Sequence, residues 1–570
     1  MTTSSAAPLL VVDGLEVAFP GRESAVRDVS FTVARGECLA IVGESGSGKS
    51  VTARTLVGLT GGNARVTARR LDFDGTDLTD LSESRWRSIR GRRIGLVLQD
   101  ALVSLDPLRT VGTEVAEPLR THRVVPRGQV GARVLELLED VGIPEPARRA
   151  RQYPHQLSGG LRQRGLIASA LAGGPELLLA DEPTTALDVT VQAQVLALLG
   201  RLKEQGTAIL LISHDLAAVA RLADRIAVMY AGEIVEQGPA ERVLAEPAHE
   251  YTRALLAAVP SLHAKGTRLS ASAGSVRVPV PPAPPAPPVG DVLLDVAGIG
   301  KRFRGPDGTW HDAVRDVSFE LRAGETLGVV GESGSGKTTA ARIVLGWEQP
   351  DEGSVRFRDA AWSGVPESVR RASRGRIQAV QQDPLGSFDP RYTVARILGE
   401  AVAAAGLPGG RWRRTRAAHR ERVAELLDLV GLSEDLLGRR PRDMSGGQRQ
   451  RVAIARALAP SPELIVCDEP VSALDVSIQA QILDLLADLR AELGLALLFI
   501  SHDLGVIRHV SDRILVMKDG RVVESGDAER VFASPQAPYT RELLAAVPRP
   551  VAAPDAVSLP VEALSAGASS

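Results

Sequence analysis

Two glycine-rich segments of the sequence have a pattern that cradles phosphate groups. Residues 43–50 read GESGSGKS and residues 331–338 read GESGSGKT, so both match G-x-x-x-x-G-K-[ST]. Glycine lets backbone N–H groups turn inwards around the β- and γ-phosphates of a nucleotide, and the helix that follows adds its positive end. Lys49 and Lys337 supply a positive charge, and the hydroxyl that follows each lysine can bind Mg²⁺. The predicted nucleotide-binding residues are Gly43, Glu44, Ser45, Gly46, Ser47, Gly48, Lys49 and Ser50, and Gly331, Glu332, Ser333, Gly334, Ser335, Gly336, Lys337 and Thr338.

An acidic pair follows a second apolar run in each half of the chain, in the strings LLLADEP and LIVCDEP. Each run delivers a carboxylate, Asp181 or Asp468, to the end of a predicted strand, where it can hold Mg²⁺ through water. The next residue, Glu182 or Glu469, can polarise an attacking water as a general base. Together with the phosphate loops, these pairs predict nucleotide hydrolysis.

A histidine follows a third apolar run in each half, within the string SHDL. A lone histidine is more often a surface or core residue. Here His214 and His502 each come after the acidic pair and at a strand end, which favours contact with the γ-phosphate.

The elements that position these residues alternate between strands and helices. Residues 37–42, 177–180 and 208–212 read as short buried strands, and residues 50–59 read as a helix. This alternation predicts a parallel sheet covered on both faces. Residues 102–157 read as mostly helical. The expected fold is therefore an α/β core with a helical insertion, present twice.

Four strings recur in the same order at an offset of 287 or 288 residues: GESGSGK, SGG, DEP and SHDL. This recurrence indicates a tandem duplication. The copies are joined by a segment containing VPVPPAPPAPPVG, which predicts a semi-rigid tether, with a docking peptide as the alternative. The expected organisation is an N-terminal tail at 1–7, a first nucleotide-binding domain at 8–262, a Pro/Ala-rich linker at 263–290, a second nucleotide-binding domain at 291–550 and a disordered tail at 551–570.

Composition narrows the function further. The 570 residues carry a net charge of −2, which argues against a protein whose main role is to coat nucleic acid. The only two cysteines, Cys38 and Cys467, lie in different halves and cannot build a zinc ribbon or an iron–sulfur cluster. The N-terminal residues have no basic run and Asp13 interrupts their apolar stretch, so we expect no signal peptide. We also expect no membrane-spanning helix, because no window of 18 residues is uniformly apolar and uncharged. If the protein serves membrane traffic, we expect other chains to form the pore.

A further motif decides the family. The strings LSGGLRQR and MSGGQRQR lie between the phosphate loop and the acidic pair of each half. With them the chain resembles a tandem pair of ATP-binding cassettes of the ABC superfamily. The resemblance implies two P-loop ATPase domains, each a RecA-like α/β core with an antiparallel β subdomain and a helical insertion. It also implies that the cassettes pair within one chain, each placing its signature residues on the ATP of the other. Those residues are Ser158, Gly159 and Gly160, and Ser445, Gly446, Gly447 and Gln448.

Other positions resemble the family residue by residue. Gln99 and Gln382 match the glutamine that senses Mg²⁺ and the attacking water, and Asp188 and Asp475 match the aspartate of the D-loop. The resemblance thus implies ATP and Mg²⁺ as cofactors. The implied metal-binding residues are Ser50, Gln99, Asp181, Thr338, Gln382 and Asp468.

Four positions fit less simply. Phe19 and Phe303 lie where the family stacks an aromatic ring, usually tyrosine, on adenine, and plain core packing is the alternative. Leu161 replaces the glutamine that usually follows LSGG, which predicts a weaker second site, the one built on Lys337. Ala101 replaces the proline of the first QDP string.

The end of each cassette points to one branch of the superfamily. HEYTRALLAAVP and APYTRELLAAVP close the two copies, and SLDP and SFDP follow the two glutamines. These strings resemble the dipeptide/oligopeptide/nickel importer family, in which fused pairs include glutathione-type importers. The resemblance implies two membrane permease subunits, an extracytoplasmic substrate-binding protein and a peripheral location on the cytoplasmic face of the cell membrane. It implies a permease groove near residues 100–115 and 383–395. The cysteine cluster that often follows the terminal helix is missing here, so we expect no iron–sulfur cluster.

Two other functions stay open at this stage. One is an exporter ATPase of the same family. The other is a soluble tandem cassette protein that acts on ribosomes or DNA, although the chain lacks the charged helical linker, zinc cysteines and coiled coil of those classes. We expect no nucleic-acid partner, and the sequence does not name the transported substrate.

Overall fold

The computed structural model describes residues 7–21, 23–99, 104–184, 187–270, 290–305, 308–405, 412–472 and 474–546, without the side chains of residues 412–416. Ala101, most of the linker and the predicted C-terminal tail lie outside the described residues.

The strands of the first half are β1 (Leu10–Ala18), β2 (Val26–Val33), β3 (Cys38–Val42), β4 (Arg65–Thr67), β5 (Arg70–Phe73), β6 (Thr76–Asp77), β7 (Ile94–Val97), β8 (Leu177–Asp181), β9 (Ala208–Ile212), β10 (Arg225–Tyr230) and β11 (Glu233–Pro239). Those of the second half are β12 (Val292–Arg304), β13 (Trp310–Arg322), β14 (Thr326–Val330), β15 (Glu352–Phe357), β16 (Ala360–Ala361), β17 (Ile377–Val380), β18 (Leu464–Asp468), β19 (Ala496–Ile500), β20 (Arg513–Lys518) and β21 (Arg521–Asp527).

The helices of the first half are α1 (Lys49–Thr55), α2 (Glu83–Ile89), α3 (Val111–Thr121), α4 (Val130–Asp140), α5 (Pro146–Arg149), α6 (Gly159–Leu171), α7 (Val189–Glu204), α8 (Leu216–Leu222), α9 (Ala240–Ala245) and α10 (Glu250–Ala257). Those of the second half are α11 (Lys337–Val344), α12 (Glu367–Arg370), α13 (Val394–Ala404), α14 (Trp412–Leu429), α15 (Gly446–Leu458), α16 (Val476–Leu493), α17 (Leu504–Val510), α18 (Ala528–Ala533) and α19 (Pro538–Ala546). Short 3₁₀ turns lie at Arg127–Gln129, Pro154–Gln156, Pro260–Leu262, Arg374–Arg376, Glu434–Gly438 and Pro441–Asp443.

Each half contains one largely parallel sheet. The order is β11-β10-β3-β9-β8-β7 in the first half and β17-β18-β19-β14-β20-β21 in the second, and the outer strands β11 and β21 pair antiparallel. Every residue of β3, β9, β14 and β19 is buried, because both faces of each sheet are covered. Helices pack on one face, and α1 with β1 and β2, or α11 with β12 and β13, packs on the other. The predicted α/β core is confirmed, and the carboxyl ends of its central strands carry the phosphate loop, the acidic pair and the histidine.

Each half also contains an antiparallel sheet, with the order β2-β1-β5-β6 in the first half and β13-β12-β15-β16 in the second. Strand β4 pairs separately with β1. A helical insertion follows β7 or β17, and its helices α3, α4 and α6 pack together in the first half as α13, α14 and α15 do in the second. These parts match the antiparallel subdomain and helical insertion that the family resemblance implies.

Residues 263–270, which the sequence assigns to the linker, lie against the second cassette. Leu269 is 1% exposed within that cassette's core, and its N–H donates to the carboxylate of Asp484 at 3.1 Å. Arg268 pairs with Asp488 at 2.7 Å. The tether therefore leaves the first cassette by crossing onto the second.

Within the part of the chain that the structure describes, no helix combines the length and apolar character needed to cross a membrane.

Candidate active site

The phosphate loop in each cassette follows a fully buried strand and runs directly into a helix. Gly43 has φ 148°, and a side chain there would place its Cβ 2.1 Å from the carbonyl oxygen of Met229. Gly331 would bring its Cβ within 2.2 Å of the Met517 carbonyl oxygen in the same way. Glycine is required at both positions because strand β10 or β20 passes against the loop.

The loop lysines point back into their own loops. Lys49 is 5% exposed, and its Nζ donates to the carbonyl oxygens of Gly43 and Glu44, both at 2.7 Å. Lys337 makes the equivalent pair of bonds at 2.8 and 2.7 Å. Burial lowers the pKa of both lysines, although nearby carboxylates from both cassettes oppose the shift. Each ammonium group lies inside its loop, where the negative charge of a phosphate would compensate for the hydration lost on burial.

A hydroxyl and a carboxylate meet at the start of the loop helix. Ser50 Oγ donates to Asp181 Oδ1 at 2.9 Å, and Thr338 Oγ1 donates to Asp468 Oδ1 at 3.4 Å. Burial raises the pKa of both aspartates. Hard oxygen donors side by side are the ligands that Mg²⁺ prefers. The donor set therefore fits the metal that the sequence predicts.

The acidic glutamate of the first cassette accepts two hydrogen bonds. Gln99 Nε2 donates to Glu182 Oε2 at 2.7 Å, and His214 Nδ1 lies 3.2 Å from Glu182 Oε1. Burial disfavours the charged imidazole, but the hydrogen bond and charge of Glu182 outweigh it, so the pKa of His214 is raised. The three residues, predicted from separate motifs, lie together.

The second cassette repeats this arrangement. Gln382 Nε2 donates to Glu469 Oε2 at 2.9 Å, and His502 Nδ1 lies 3.2 Å from Glu469 Oε1. Although burial acts to raise the pKa of Glu469, its contacts with His502 and a loop lysine leave that pKa lowered. Glu182 and Glu469 also share a left-handed backbone with φ 50°, a conformation that costs free energy for any residue but glycine. Asp28 and Asp316 share such a backbone as well, so this conformation belongs to the repeated fold and sets the direction of the two glutamates.

The signature residues begin helices α6 and α15. Ser158 caps α6 by accepting the N–H of Leu161 at 3.4 Å. Ser445 caps α15 by accepting the N–H of Gln448 at 3.2 Å, and the Ser445 N–H donates back to the Gln448 side chain at 3.1 Å. The second cassette thus has a complete capping box, and Leu161 leaves the first with half of one.

The two cassettes meet at the phosphate loops. The N–H of Ser45 donates to Oδ1 of Asp475 at 2.8 Å, and Thr190 Oγ1 donates to Oε1 of Glu332 at 2.8 Å. Asp188, the counterpart of Asp475, caps its own helix by accepting the N–H of Val191. Each loop therefore contacts the opposite cassette, but through different side chains.

A cavity of about 410 Å³ marks the second site. Its lining includes Asp188 of the first cassette together with Lys337, Thr338, Glu469 and His502. Among the described residues that line it, the signature residues 158–160 do not appear. The cavity nevertheless takes walls from both cassettes.

The two adenine candidates differ in their surroundings. Phe19 packs partly against the first cassette's core, whereas Phe303 is 41% exposed with Lys301 Nζ 5.7 Å from its ring centroid. The exposed ring of Phe303 is therefore more accessible to an adenine ring than that of Phe19.

Two residues that the sequence reading passed over also touch the loops. The N–H of Glu44 donates to the hydroxyl of Tyr251 at 3.1 Å, and that of Glu332 donates to the hydroxyl of Tyr539 at 3.2 Å. The available signal is the tyrosine that HEYTRALLAAVP and APYTRELLAAVP share, although both strings have the pattern of an ordinary terminal helix.

Known proteins share this organisation. The ABC transporter family matches residues 26–185 and 314–472, and the oligopeptide/dipeptide transporter C-terminal region matches residues 235–283 and 523–565. The glutathione import ATP-binding protein GsiA of Salmonella paratyphi A is 43% identical over 95% of this chain and 89% of its own length. GsiA of Escherichia coli K12 is 44% identical over the same shares.

Among solved structures, the archaeal ribosome recycling factor aABCE1, in complex with the stalk protein aP1, matches 88% of each chain. The TM-score is 0.57 at 22% identity, and at that identity the likeness concerns the fold alone.

The phosphate loops, acidic pairs, signatures and terminal region thus occur in the order that the matched families share, over nearly the whole chain. The chain belongs to the ABC transporter family, as a tandem pair of ATP-binding cassettes with ATPase function in the branch that carries the oligopeptide/dipeptide transporter C-terminal region.

Proposed function

We propose that this protein hydrolyses ATP at two composite sites to drive import of dipeptides, oligopeptides or glutathione-like cargo through a membrane transporter. The observation that carries the proposal is the duplicated set of Glu, Gln and His side chains, held with nearly the same distances in both cassettes. Import is supported by relatives whose names state glutathione import and which match this chain over 95% of its length.

In the proposed reaction the loop N–H groups and Lys49 or Lys337 bind the phosphates of ATP. Glu182 and Glu469 act as general bases that take a proton from the attacking water. The left-handed backbone and the hydrogen bond from Gln99 or Gln382 hold each carboxylate at its strand end.

His214 and His502 orient the same carboxylates from the other side and are placed to contact the γ-phosphate. Their raised pKa favours the imidazolium form, which would stabilise the charge that develops on the phosphoryl oxygens.

Mg²⁺ would be held by Ser50 and Asp181 in the first site and by Thr338 and Asp468 in the second, with the glutamine amide oxygens as further ligands. When bound, it would neutralise charge on the β- and γ-phosphates.

We further propose that the signature residues complete each site from the opposite cassette. The direct contact between Ser45 and Asp475 supports this arrangement, because it already brings one cassette onto the phosphate loop of the other.

The proposed partners are two permease subunits and an extracytoplasmic binding protein, with this chain on the cytoplasmic face of the membrane. A groove of about 470 Å³ beside the segment that carries Gln382 supports permease docking. Half-exposed Trp347 lines it with Gln381 and Ser387, and Arg456 donates to the Ser387 carbonyl at 2.8 Å and so fixes one wall. Part of the equivalent region of the first cassette, at residues 100–103, lies outside the described residues.

Reconstitution tests the direction of transport. The chain would be purified with the permeases encoded beside it, placed in proteoliposomes and supplied with ATP on the side of the cassettes. We expect labelled dipeptide or glutathione, presented with its binding protein on the opposite side, to move toward the cassette side. Transport away from the cassettes would instead identify an exporter.

A further inference from the structure

A terminal helix in each cassette places a tyrosine hydroxyl on the phosphate loop. Tyr251 lies in the first turn of α10 and Tyr539 in the first turn of α19. Each hydroxyl accepts the N–H of the second loop residue, at 3.1 Å from Glu44 and 3.2 Å from Glu332. The same sequence separation of 207 residues joins the partners in both cassettes, so the contact belongs to the repeated fold.

The peptide groups that begin the first loop are held from two sides. The tyrosine accepts the N–H of Glu44, while the Glu44 carbonyl oxygen accepts Nζ of Lys49 at 2.7 Å. When a phosphate enters the loop, Lys49 Nζ shares its three protons between the phosphate and the two carbonyl oxygens, so its hold on the Glu44 carbonyl weakens. The tyrosine is then the side chain that continues to fix the entry to the loop, and with it the direction of the N–H groups that follow.

Both rings are anchored independently of their hydroxyls. The ring of Tyr251 lies against Tyr230, with centroids 4.3 Å apart, and Lys518 Nζ lies 4.4 Å from the centroid of Tyr539. Burial raises the pKa of Tyr539 to about 12, so its hydroxyl stays neutral at physiological pH. A phenylalanine would keep the ring contacts and remove only the oxygen.

The same helices touch the opposite cassette. Ala258, which directly follows α10, is 3% exposed within the core of the second cassette. Helix α19 packs in turn against α7 of the first cassette. The next loop N–H after Glu44, that of Ser45, donates to Asp475 of the second cassette. Adjacent N–H groups of one loop are thus held by its own terminal helix and by the facing cassette.

We propose that Tyr251 and Tyr539 are positioning residues that hold their phosphate loops in the conformation that binds ATP. Contacts between the paired cassettes hold in place the terminal helices that carry these tyrosines. This inference rests on the proposed use of both loops for ATP. It assigns a role in nucleotide binding to the terminal region, which the family resemblance leaves without one.

The test compares Tyr251→Phe, Tyr539→Phe and the double variant with the wild type, in the full chain. Because one backbone hydrogen bond is lost per loop, we expect KM for ATP and Kd for ADP to rise about threefold to tenfold in each affected site. We expect kcat to change by less than about twofold, because neither tyrosine contacts the glutamates that act on water. The melting temperature should stay within about 2 °C of the wild type, since the rings remain.

Tyr230→Phe is the matched control, because it removes a hydroxyl from the ring stacked on Tyr251. It should leave KM and Kd unchanged. Unchanged nucleotide affinity in both tyrosine variants would overturn the proposal. So would a loss of activity that follows the melting temperature while KM stays constant, because that pattern indicates a structural role alone. A wild type that binds ADP but fails to hydrolyse ATP would refute the proposed ATPase sites, and the ADP affinities would still decide the role of the tyrosines.

Discussion

Exchanging the residues that follow the two signatures should change the two ATP sites in opposite directions. Gln448 closes a capping box with Ser445, whereas Leu161 leaves the N–H of Ser158 without that reciprocal side chain. Gln448→Leu removes half of the box from the second cassette. Leu161→Gln supplies the missing half to the first. If each signature completes the site of the opposite cassette, the first change acts on the site of Lys49 and the second on the site of Lys337.

The size of the effect follows from one hydrogen bond. The bond from the Ser445 N–H to Gln448 Oε1 is 3.1 Å long and solvent-exposed, so its net contribution is about 0.5–1.5 kcal/mol. That corresponds to about a twofold to tenfold change in the population of the ordered helix start. Leu161 packs partly against the first cassette's core, and glutamine gives up some of that contact. Leu161→Gln should therefore gain less than Gln448→Leu loses.

Each site can be measured alone in a background that silences the other. In Glu469→Gln, hydrolysis of pre-bound ATP in a single turnover reports the first site, and in Glu182→Gln it reports the second. A single turnover is used so that reopening of the other site does not enter the measured rate. We expect Gln448→Leu to slow the first site about twofold to tenfold and to leave the second within error. Leu161→Gln should speed the second site by up to about threefold and leave the first unchanged.

The opposite assignment would refute the reasoning. If Gln448→Leu slowed the second site and spared the first, each signature would serve the site of its own cassette. Equal effects on both sites would show that the cap acts only on global stability, which a parallel fall in melting temperature would reveal.

Three further predictions concern the catalytic sets and the crossing segment. Glu182→Gln and Glu469→Gln should each lower steady-state ATP hydrolysis at least about a hundredfold at the altered site. ATP binding should persist, which retention of radiolabelled ATP would show. Hydrolysis at the wild-type rate would exclude these residues as bases. The pKa of His214 and of His502 is raised in the folded protein, so their stabilising contribution is complete below pH 6.5 and is lost as pH rises through the raised pKa. Replacing both histidines with glutamine should therefore make the free energy of unfolding, measured by urea titration, depend less on pH between pH 6 and 9. Asp484→Ala should lower the free energy of unfolding by about 1–3 kcal/mol, since it leaves N–H groups of the crossing segment, residues 263–270, unpaired. An unchanged urea midpoint would show that this contact contributes nothing to stability.

Much of this architecture can be predicted from the sequence because the residues of each motif are contiguous. A phosphate loop must be short, rich in glycine and placed between a strand and a helix, so Gly43 to Ser50 specify their own local structure. The glutamates, glutamines and histidines come from different motifs, yet all stand at the carboxyl ends of neighbouring parallel strands. A parallel sheet brings such ends together. The strand order alone is therefore enough to predict that Gln99 lies beside Glu182.

The contacts that the sequence did not predict depend on side chains that approach from far along the chain. Tyr251 lies 207 residues from its partner Glu44, and its helix has an ordinary amphipathic pattern. Leu269 sits in a segment whose proline-rich continuation suggested an unattached linker, but it is buried because Asp484 on α16 accepts the N–H groups beside it. Neither contact leaves a local pattern, since the first joins distant parts of one cassette and the second joins the crossing segment to the other cassette.

Two clear differences between the cassettes lie where one touches the other. The distance from histidine to glutamate is 3.2 Å in both, and the lysine-to-carbonyl bonds agree within 0.1 Å. By contrast, Asp475 reaches the opposite phosphate loop while Asp188 caps its own helix. The position equivalent to Asp484 in the first cassette is Ala197, so the first cassette lacks the carboxylate that holds the crossing segment on the second. A fused pair can diverge in this way because each interface residue meets a fixed partner, whereas a homodimer would have to accept the same residue on both sides. Asymmetry between the two ATP sites should therefore arise from how the cassettes hold each other, not from loss of the catalytic residues in either one.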